Sequence, residues 1–136
     1  MDLLKALKIS ASGMSVESAR MRVAAENLAN SETMPKTPGG EPYRRKTISF
    51  KNVLDRALGV NTVAVNKIDV DRSAFDKRYD PGHPMADKDG HVLMPNVKPI
   101  VEMMDIKEAQ RSYEANLGAI DAAKNMLMRA VDLLRS

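Results

Sequence analysis

The stretch AAENLANSETMPKTPGG, residues 24–40, decides the fold, because a helical repeat ends within it and an extended linker begins. Asn30 predicts a left-handed helix C-cap, since Asn tolerates that conformation better than most residues. Pro35 then prevents the helix from resuming, because proline lacks the backbone N–H that a helix requires. Further turn formers extend the predicted linker over residues 31–42: Pro38, Gly39, Gly40 and Pro42.

Upstream of the linker, residues 2–30 predict one amphipathic helix with apolar side chains on two sides. The first apolar series forms a seam, the line along which two helices of a coiled coil meet. Its larger side chains repeat every seven residues: Leu7, Met14, Met21 and Leu28. A companion row of mainly small residues lies three positions earlier: Leu4, Ala11, Ser18 and Ala25. A second series lies about 200° around the helix from the first: Ile9, Val16 and Val23. A helix that packs only within its own domain shows one apolar stripe. Because this helix shows two, we expect neighbours on both of its sides.

Downstream of the linker, residues 43–98 predict a small β-rich segment. Ile48 and Phe50 alternate as in a strand, and a change of phase between Val65 and Ile68 predicts a β-bulge. A short helical turn is predicted over residues 53–58, ending at Gly59. Residues 79–97 contain Asp-Pro-Gly and Lys-Asp-Gly turns on either side of HVLM, which predicts a hairpin.

The last segment, residues 99–136, predicts a second long helix with Pro99 in its first turn. Its seam repeats every seven residues: Ile106, Tyr113, Ile120, Leu127 and Leu134, with a companion row of Ala109, Asn116, Ala123 and Ala130. The expected fold is therefore mainly α with a small β insertion, in which residues 1–30 and 99–136 pair as an antiparallel coiled coil. Gly13 and Gly118 lie inside the helices, where either close approach of a neighbour or simple tolerance explains them.

Composition and motifs argue against several function classes. The net charge of +3 does not single out nucleic acid, and the absence of Cys excludes disulfides, thiolate metal sites and Cys nucleophiles. We interpret the basic triplet, residues 44–46, as a solvated face. Ligand-type residues at 80–91 fit turns better than a metal site, because the calcium-loop spacing fails: Asp80, His83, Asp87, Asp89 and His91. No catalytic or nucleotide-binding motif occurs, so we expect no enzyme, no cofactor and no small-molecule substrate.

The first residues, MDLLKALKISASGM, do not fit a cleaved signal peptide. Asp2 stands where a basic region is expected, and Lys5 and Lys8 interrupt the apolar run. No segment reaches the roughly 18 uninterrupted apolar residues of a membrane span. If the protein leaves the cytoplasm, we expect a route that does not require a cleaved leader.

Several stretches resemble one known family. ISASGMSVESARMRVAAENLANSET (residues 9–33) is similar to the N-terminal helix of bacterial flagellar axial proteins, the rod and hook family, including their Asn-Leu-Ala-Asn element at residues 27–30 and the following Thr33. PYRRK (42–46), YDPGHPMADKDGHVLMPNV (79–97) and RSYEANLGAIDAAKNML (111–127) resemble proximal-rod members of that family. The middle stretch is the most specific part of the match: Tyr79, Asp80, Pro81, Gly82, His83, Pro84, Pro95, Asn96 and Val97.

The resemblance implies a structural rod subunit, located in the flagellar basal body where the rod spans the periplasm. Its implied partners are copies of itself, other rod proteins, the membrane ring, the rod-base adaptor and the type III export apparatus, which requires no cleaved signal. Subunit contacts would involve the family motif and the seam: Leu7, Met14, Met21, Asn27, Leu28, Ala29, Asn30, Tyr113, Asn116, Ile120 and Leu127. Plain helix capping by Asn30 and core packing of Tyr113 are the competing interpretations. A sibling axial protein and a freestanding coiled-coil adaptor remain the alternative functions.

Overall fold

Two long helices and two β-hairpins make up the computed structural model, which describes residues 2–136. In chain order the elements are α1 (Leu3–Ala29), β1 (Lys46–Asp55), β2 (Val60–Val70), β3 (Asp76–Tyr79), β4 (His91–Met94) and α2 (Pro99–Arg135). The predicted class, mainly α with a small β insertion, is confirmed. None of the helices within residues 2–136 combines the length and hydropathy needed to cross a membrane.

Helix α1 is capped at both ends by side chains. Asp2 accepts a hydrogen bond from the Leu4 backbone N–H at 3.0 Å. Asn30 caps the other end with φ −101° and ψ 12°, so the prediction of a left-handed cap is wrong. The carboxamide of Asn30 donates to the Glu26 carbonyl at 2.9 Å, and its backbone N–H also reaches Glu26. These bonds satisfy a carbonyl of the last turn, and the left-handed conformation is therefore not needed.

Strands β1 and β2 form a long antiparallel hairpin that packs against α1. The pairing shifts between Ser49–Lys67 and Phe50–Val65, which leaves Asn66 as an extra residue and confirms the predicted bulge. The predicted helical turn over residues 53–58 is wrong for its first three residues, which pair with β2 as part of β1. A single turn remains after them, closed by a hydrogen bond from the Gly59 backbone N–H to the Asp55 carbonyl at 2.8 Å. The chain reverses at Gly59, whose φ of 65° is the left-handed region that glycine adopts without strain.

Strands β3 and β4 form the hairpin that the turn-rich segment predicts. The rings of Tyr79 and His91 meet edge to face with centroids 5.4 Å apart. Asp87 organises the connecting turn by accepting from the backbone N–H groups of His91 and Asp89, both at 2.9 Å. These hydrogen bonds, the one from His91 first, lower the pKa of Asp87. Throughout residues 2–136, no three His, Cys, Asp or Glu side chains converge as a metal site would require.

The two helices pack together along most of α1. Asn27 near the end of α1 contacts Glu102 near the start of α2, with 3.3 Å between Nδ2 and Oε2. Further along, Gly13 lies directly against the carboxamide of Asn116. The sum of the two residue numbers is 129 in both contacts, and this order of contacts is consistent with the predicted antiparallel pairing.

The face of α1 that meets α2 differs from the predicted seam. Val16 and Val23, from the second apolar series, are buried at 5% and 4% exposure. The companion row that we assigned to the seam is exposed instead: Leu4, Ala11, Ser18 and Ala25. The row of larger side chains is half-buried: Leu7, Met14, Met21 and Leu28. The prediction followed the most apolar row, whereas the true interface includes Arg20 and Asn27, which find acidic partners on α2.

Helix α2 extends past the beginning of α1. It has 37 residues against 27 in α1. Counting from the Gly13–Asn116 contact, Leu3 lies beside residue 126, so residues 127–135 have no part of α1 opposite them. The last buried residue of α2 is Ala123, and all residues after it are exposed. We call residues 127–135 the C-terminal overhang, which is about 14 Å long at 1.5 Å per residue.

The two glycines inside the helices have different surroundings. A Cβ on Gly13 would come within 2.7 Å of Asn116 Nδ2, so close approach explains Gly13. A Cβ on Gly118 would have no atom of residues 2–136 within 4 Å. We therefore expect Gly118→Ala to raise the free energy of unfolding by about 1 kcal/mol, the helix-propensity difference. Gly13→Ala, the matched control, should gain less because the Asn116 carboxamide must move. Urea unfolding of the purified variants measures both, and equal gains would contradict the assignment.

Candidate functional site

Asn27, from the Asn-Leu-Ala-Asn element, lies in the interior with 1% of its surface exposed. Its Nδ2 donates to the Lys46 carbonyl at 2.9 Å, and its Oδ1 accepts from the Lys46 backbone N–H at 2.8 Å. The carboxamide thus pairs with Lys46 as a neighbouring strand would. The same Oδ1 accepts from the Tyr43 hydroxyl at 2.9 Å, and Nδ2 also reaches Glu102. Asn27 therefore connects α1 to the segment before β1 and to α2.

Glu102 is the charged group at the centre of this site. It lies in the first turn of α2 with 1% exposure, and its Oε1 accepts a hydrogen bond from Arg45 Nε. Arg45 also lies 3.7 Å from a carboxylate oxygen of Asp71 and 3.7 Å from one of Asp105. Burial opposes the charge of Arg45, but the hydrogen bond to Glu102 and the surrounding carboxylates outweigh it and raise the pKa of the guanidinium. The guanidinium of Arg45 is therefore held in its charged form.

Tyr43 lies at one side of the same site. Burial, followed by the nearby carboxylates of Glu26 and Glu102, raises the pKa of the Tyr43 phenol. The hydroxyl therefore remains protonated and continues to donate to Asn27 at any physiological pH. Lys46 reaches back over α1, with Nζ 2.5 Å from Glu26 Oε1.

Asn96 ties the end of the second hairpin to the same place. Its Oδ1 accepts from the Arg45 backbone N–H at 2.7 Å, and its Nδ2 donates to the Asp71 carbonyl at 2.9 Å. The guanidinium of Arg44 donates to that carbonyl too, at 3.0 Å, and lies 4.1 Å from the ring centroid of Phe75. We name the whole set the polar cluster: Asn27, Tyr43, Arg45, Lys46, Asn96 and Glu102.

Two interpretations from the sequence change with this geometry. The basic triplet at residues 44–46 is not a solvated face, because all three side chains form ion pairs or hydrogen bonds within the chain. Asn27 is engaged inside the subunit, which revises its assignment to a subunit interface. For Leu28, Ala29 and Asn30, which follow it in the same element, a subunit contact stays a prediction.

Glu102, Tyr43 and Arg45 are functional residues that the sequence patterns did not predict. A signal for Glu102 was present, since it stands seven residues before Ala109 and so begins the row that continues through Asn116 and Ala123. An acidic residue at a core position requires a buried partner. The partner itself could not be found from the sequence, because Arg45 is 57 residues away along the chain.

The family-specific residues 79–97 are split by the structure between surface and interior. Tyr79 and the turn that follows it are mostly exposed: Asp80, Pro81, Gly82 and Pro84, with His83 half-buried. His83 Nδ1 accepts from the Met85 backbone N–H at 3.0 Å and so shapes the turn. Pro95 and Val97 are buried beside Asn96. The first part of the segment is therefore exposed and available to a partner, while the last part packs in the interior.

Three apolar surfaces on the helices remain uncovered within residues 2–136. The companion row of α1, which we call the outer row, is exposed, as described above: Leu4, Ala11, Ser18 and Ala25. The C-terminal overhang exposes Leu127 at 40% and Leu134 at 86%. At the opposite end of the helix pair, a cavity of about 480 Å³ is lined by Leu28 and the first two turns of α2: Ile100, Met103, Met104, Ile106 and Lys107. Tyr113, Asn116 and Ile120 lie half-buried along the contact between the helices. Apolar surface of this extent is typical of interaction sites.

Comparison with known proteins agrees with this architecture. Residues 88–133 match the family described as flagellar basal body rod FlgEFG protein, C-terminal. The flagellar basal-body rod protein FlgC of Agrobacterium fabrum is 47% identical over 137 residues, covering 100% of this chain and 99% of the relative. FlgC of Bacillus subtilis is 40% identical, covering 98% and 99%. FlgC of Salmonella typhimurium is 38% identical, covering 98% of both chains.

The match over residues 88–133 together with the full-length relatives shows the class: flagellar basal-body rod proteins. Within that class, the similarity over the full length of the relatives shows the particular family: the chain belongs to the FlgC family. The family expected from the sequence is thereby confirmed, and it is a family of structural rod proteins rather than of enzymes.

Proposed function

We propose that this chain is a structural subunit of the flagellar proximal rod, the tubular shaft that transmits torque from the membrane ring to the hook. The observation that carries the proposal is similarity to FlgC proteins over the whole length of both chains. The exposed helix surfaces support it, because a subunit of a helical tube must leave apolar area for its neighbours. In this proposal the terminal helices pair as an antiparallel coiled coil, and contacts between unlike surfaces build an open helical assembly.

The proposed partners are copies of this chain, other rod proteins, the membrane ring and the rod-base adaptor. Delivery in this proposal is by the flagellar type III export apparatus. The residues proposed for subunit contacts are those of the family motif and the seam that keep exposed surface: Leu7, Met14, Met21, Leu28, Ala29, Asn30, Tyr113, Asn116, Ile120 and Leu127. A freestanding coiled-coil adaptor is the competing function, but no feature of the fold favours it.

Deletion of the gene in its own organism, with complementation, tests the proposal. We expect immotile cells whose purified basal bodies, seen by electron microscopy, have membrane rings but no completed rod or hook. The intact gene should restore both. Normal flagella in the deletion strain would reject the rod function and favour the adaptor.

Leu28→Asp tests the helix surface in the same strain. Leu28 lines the apolar cavity with Ile100 and Met103, and a carboxylate there would be desolvated by any subunit that covers it. We expect the variant to be exported but absent from purified basal bodies by immunoblotting. Asn61→Asp, which adds a charge on the exposed hairpin, is the matched control and should incorporate normally. Normal amounts of Leu28→Asp in basal bodies would count against the surface.

A further inference from the structure

The apolar repeat of α2 does not by itself define where α1 binds. Large side chains recur at seven-residue spacing from Ile106 to Leu134, and mostly small ones recur from Ala109 to Ala130. A shift of α1 by one heptad would therefore meet nearly the same pattern of side chains. Because α2 is ten residues longer than α1, such a shift toward the C-terminus has room on the helix.

The shifted register would bury a different set of apolar side chains along the same length of α1. Gly13, which lies against Asn116, would then lie against Ala123, and Ala6 would face Ala130. The shift would cover Leu127, which is 40% exposed, and most of the rest of the C-terminal overhang. Apolar burial is the dominant favourable term in helix packing, and it does not by itself exclude the shifted arrangement.

The polar cluster opposes that shift. One heptad further along, Asn27 would face Ala109 in place of Glu102, and Glu102 would lose α1 as a neighbour. Asn27, which is 1% exposed in the observed register, would then face an alanine methyl group that offers no hydrogen-bond acceptor. Arg20 would also leave Asp105 and Glu108, which lie 3.5 and 3.1 Å from its guanidinium.

We propose that Asn27, Arg45 and Glu102 set the register of the two terminal helices and thereby keep the overhang uncovered. Buried polar residues fix register in other helix pairs by the same physics. Arg45 comes from the segment before β1, so the β insertion must dock before the register is fixed. This proposal concerns the isolated chain and does not depend on the rod function.

Cysteine pairs measure the register directly, because the natural chain contains no Cys. Gly13→Cys with Asn116→Cys reports the observed register, since position 13 lies against the Asn116 side chain. Gly13→Cys with Ala123→Cys reports the shifted one. In the otherwise unchanged chain, oxidised with diamide, we expect the first pair to form at least tenfold more intramolecular disulfide than the second. We expect a ratio of threefold or less when Asn27→Leu, Arg45→Met and Glu102→Leu are added.

The matched control removes an ion pair elsewhere. Lys67 and Asp69 are 2.9 Å apart on β2, and Lys67→Met with Asp69→Leu should leave the ratio at tenfold or more. A ratio unchanged by the three apolar replacements, in a chain whose circular dichroism remains helical, would overturn the proposal. If the triple variant unfolds, Glu102→Gln decides, because it keeps the shape and removes the charge. We expect that variant to lower the ratio about threefold, and an unchanged ratio would overturn the proposal.

Discussion

Glu102→Ala should lower the free energy of unfolding by about 3 kcal/mol, the lower end of the range measured when one member of a buried ion pair is removed. The loss is large because Asn27 and Arg45 each lose a hydrogen-bond acceptor, and the Glu102 and Asn27 side chains are buried at 1% exposure. Urea unfolding followed by circular dichroism gives the value. Glu114→Ala is the matched control, since Glu114 is an exposed acid on the same helix whose one hydrogen bond is to Gln110 at 3.3 Å. We expect its effect to stay below about 0.5 kcal/mol.

A small effect of Glu102→Ala would mean that the region around the polar cluster opens to water at low cost. The pair Arg45 and Glu102 would then be a surface ion pair in energetic terms, and such pairs contribute about 1 kcal/mol or less. A loss below that value would contradict the description of the cluster as the buried connection between α1, α2 and the β insertion.

Leu127→Asp with Leu134→Asp should abolish incorporation into basal bodies while leaving the isolated fold intact. Both side chains belong to the C-terminal overhang and are already exposed, so the charges cost little in the free chain. A subunit that covers the overhang would have to desolvate two carboxylates, which costs several kcal/mol without a partner. Basal-body immunoblots and swimming assays measure the outcome, with secretion into the medium confirming export.

Asn125→Asp is the matched control for the overhang, because it adds a charge to the same helix without removing an apolar side chain. We expect normal swimming from that variant. Normal recovery of the double Leu variant in basal bodies would show that the overhang stays in solvent in the assembled rod. The outer row of α1 would then be the surface to test next.

The sequence predicts local features of this fold well. The bounds of α2 follow from Pro99 and a seven-residue repeat that continues to Leu134, and the bulge at Asn66 follows from one change of strand phase. The helical turn over residues 53–58 fails for its first three residues because pairing with β2 overrides the local preference of short segments. Local patterns therefore identify the elements, and this error arises where pairing with the next strand of the hairpin decides the conformation.

The helix contact and the polar cluster are harder to predict, because they combine residues far apart in the chain. Counting apolar side chains favours the row through Leu7 and Leu28, whereas the true interface of α1 includes Arg20 and Asn27. Those polar residues fit the interface only because Glu102 and Glu108 stand opposite them on α2. A single sequence shows each charge but not its partner, so the cluster becomes visible only in three dimensions.

Because the two helices differ in length, the two ends of the subunit have different surfaces. One end of the helix pair carries the protruding overhang, and the other carries the apolar cavity beside Leu28. Any polymer that uses these two surfaces repeatedly has unlike ends, one with protruding helices and one with open cavities. New subunits would therefore meet chemically different tips, and growth at a single tip would need no additional component to distinguish one end of the shaft from the other.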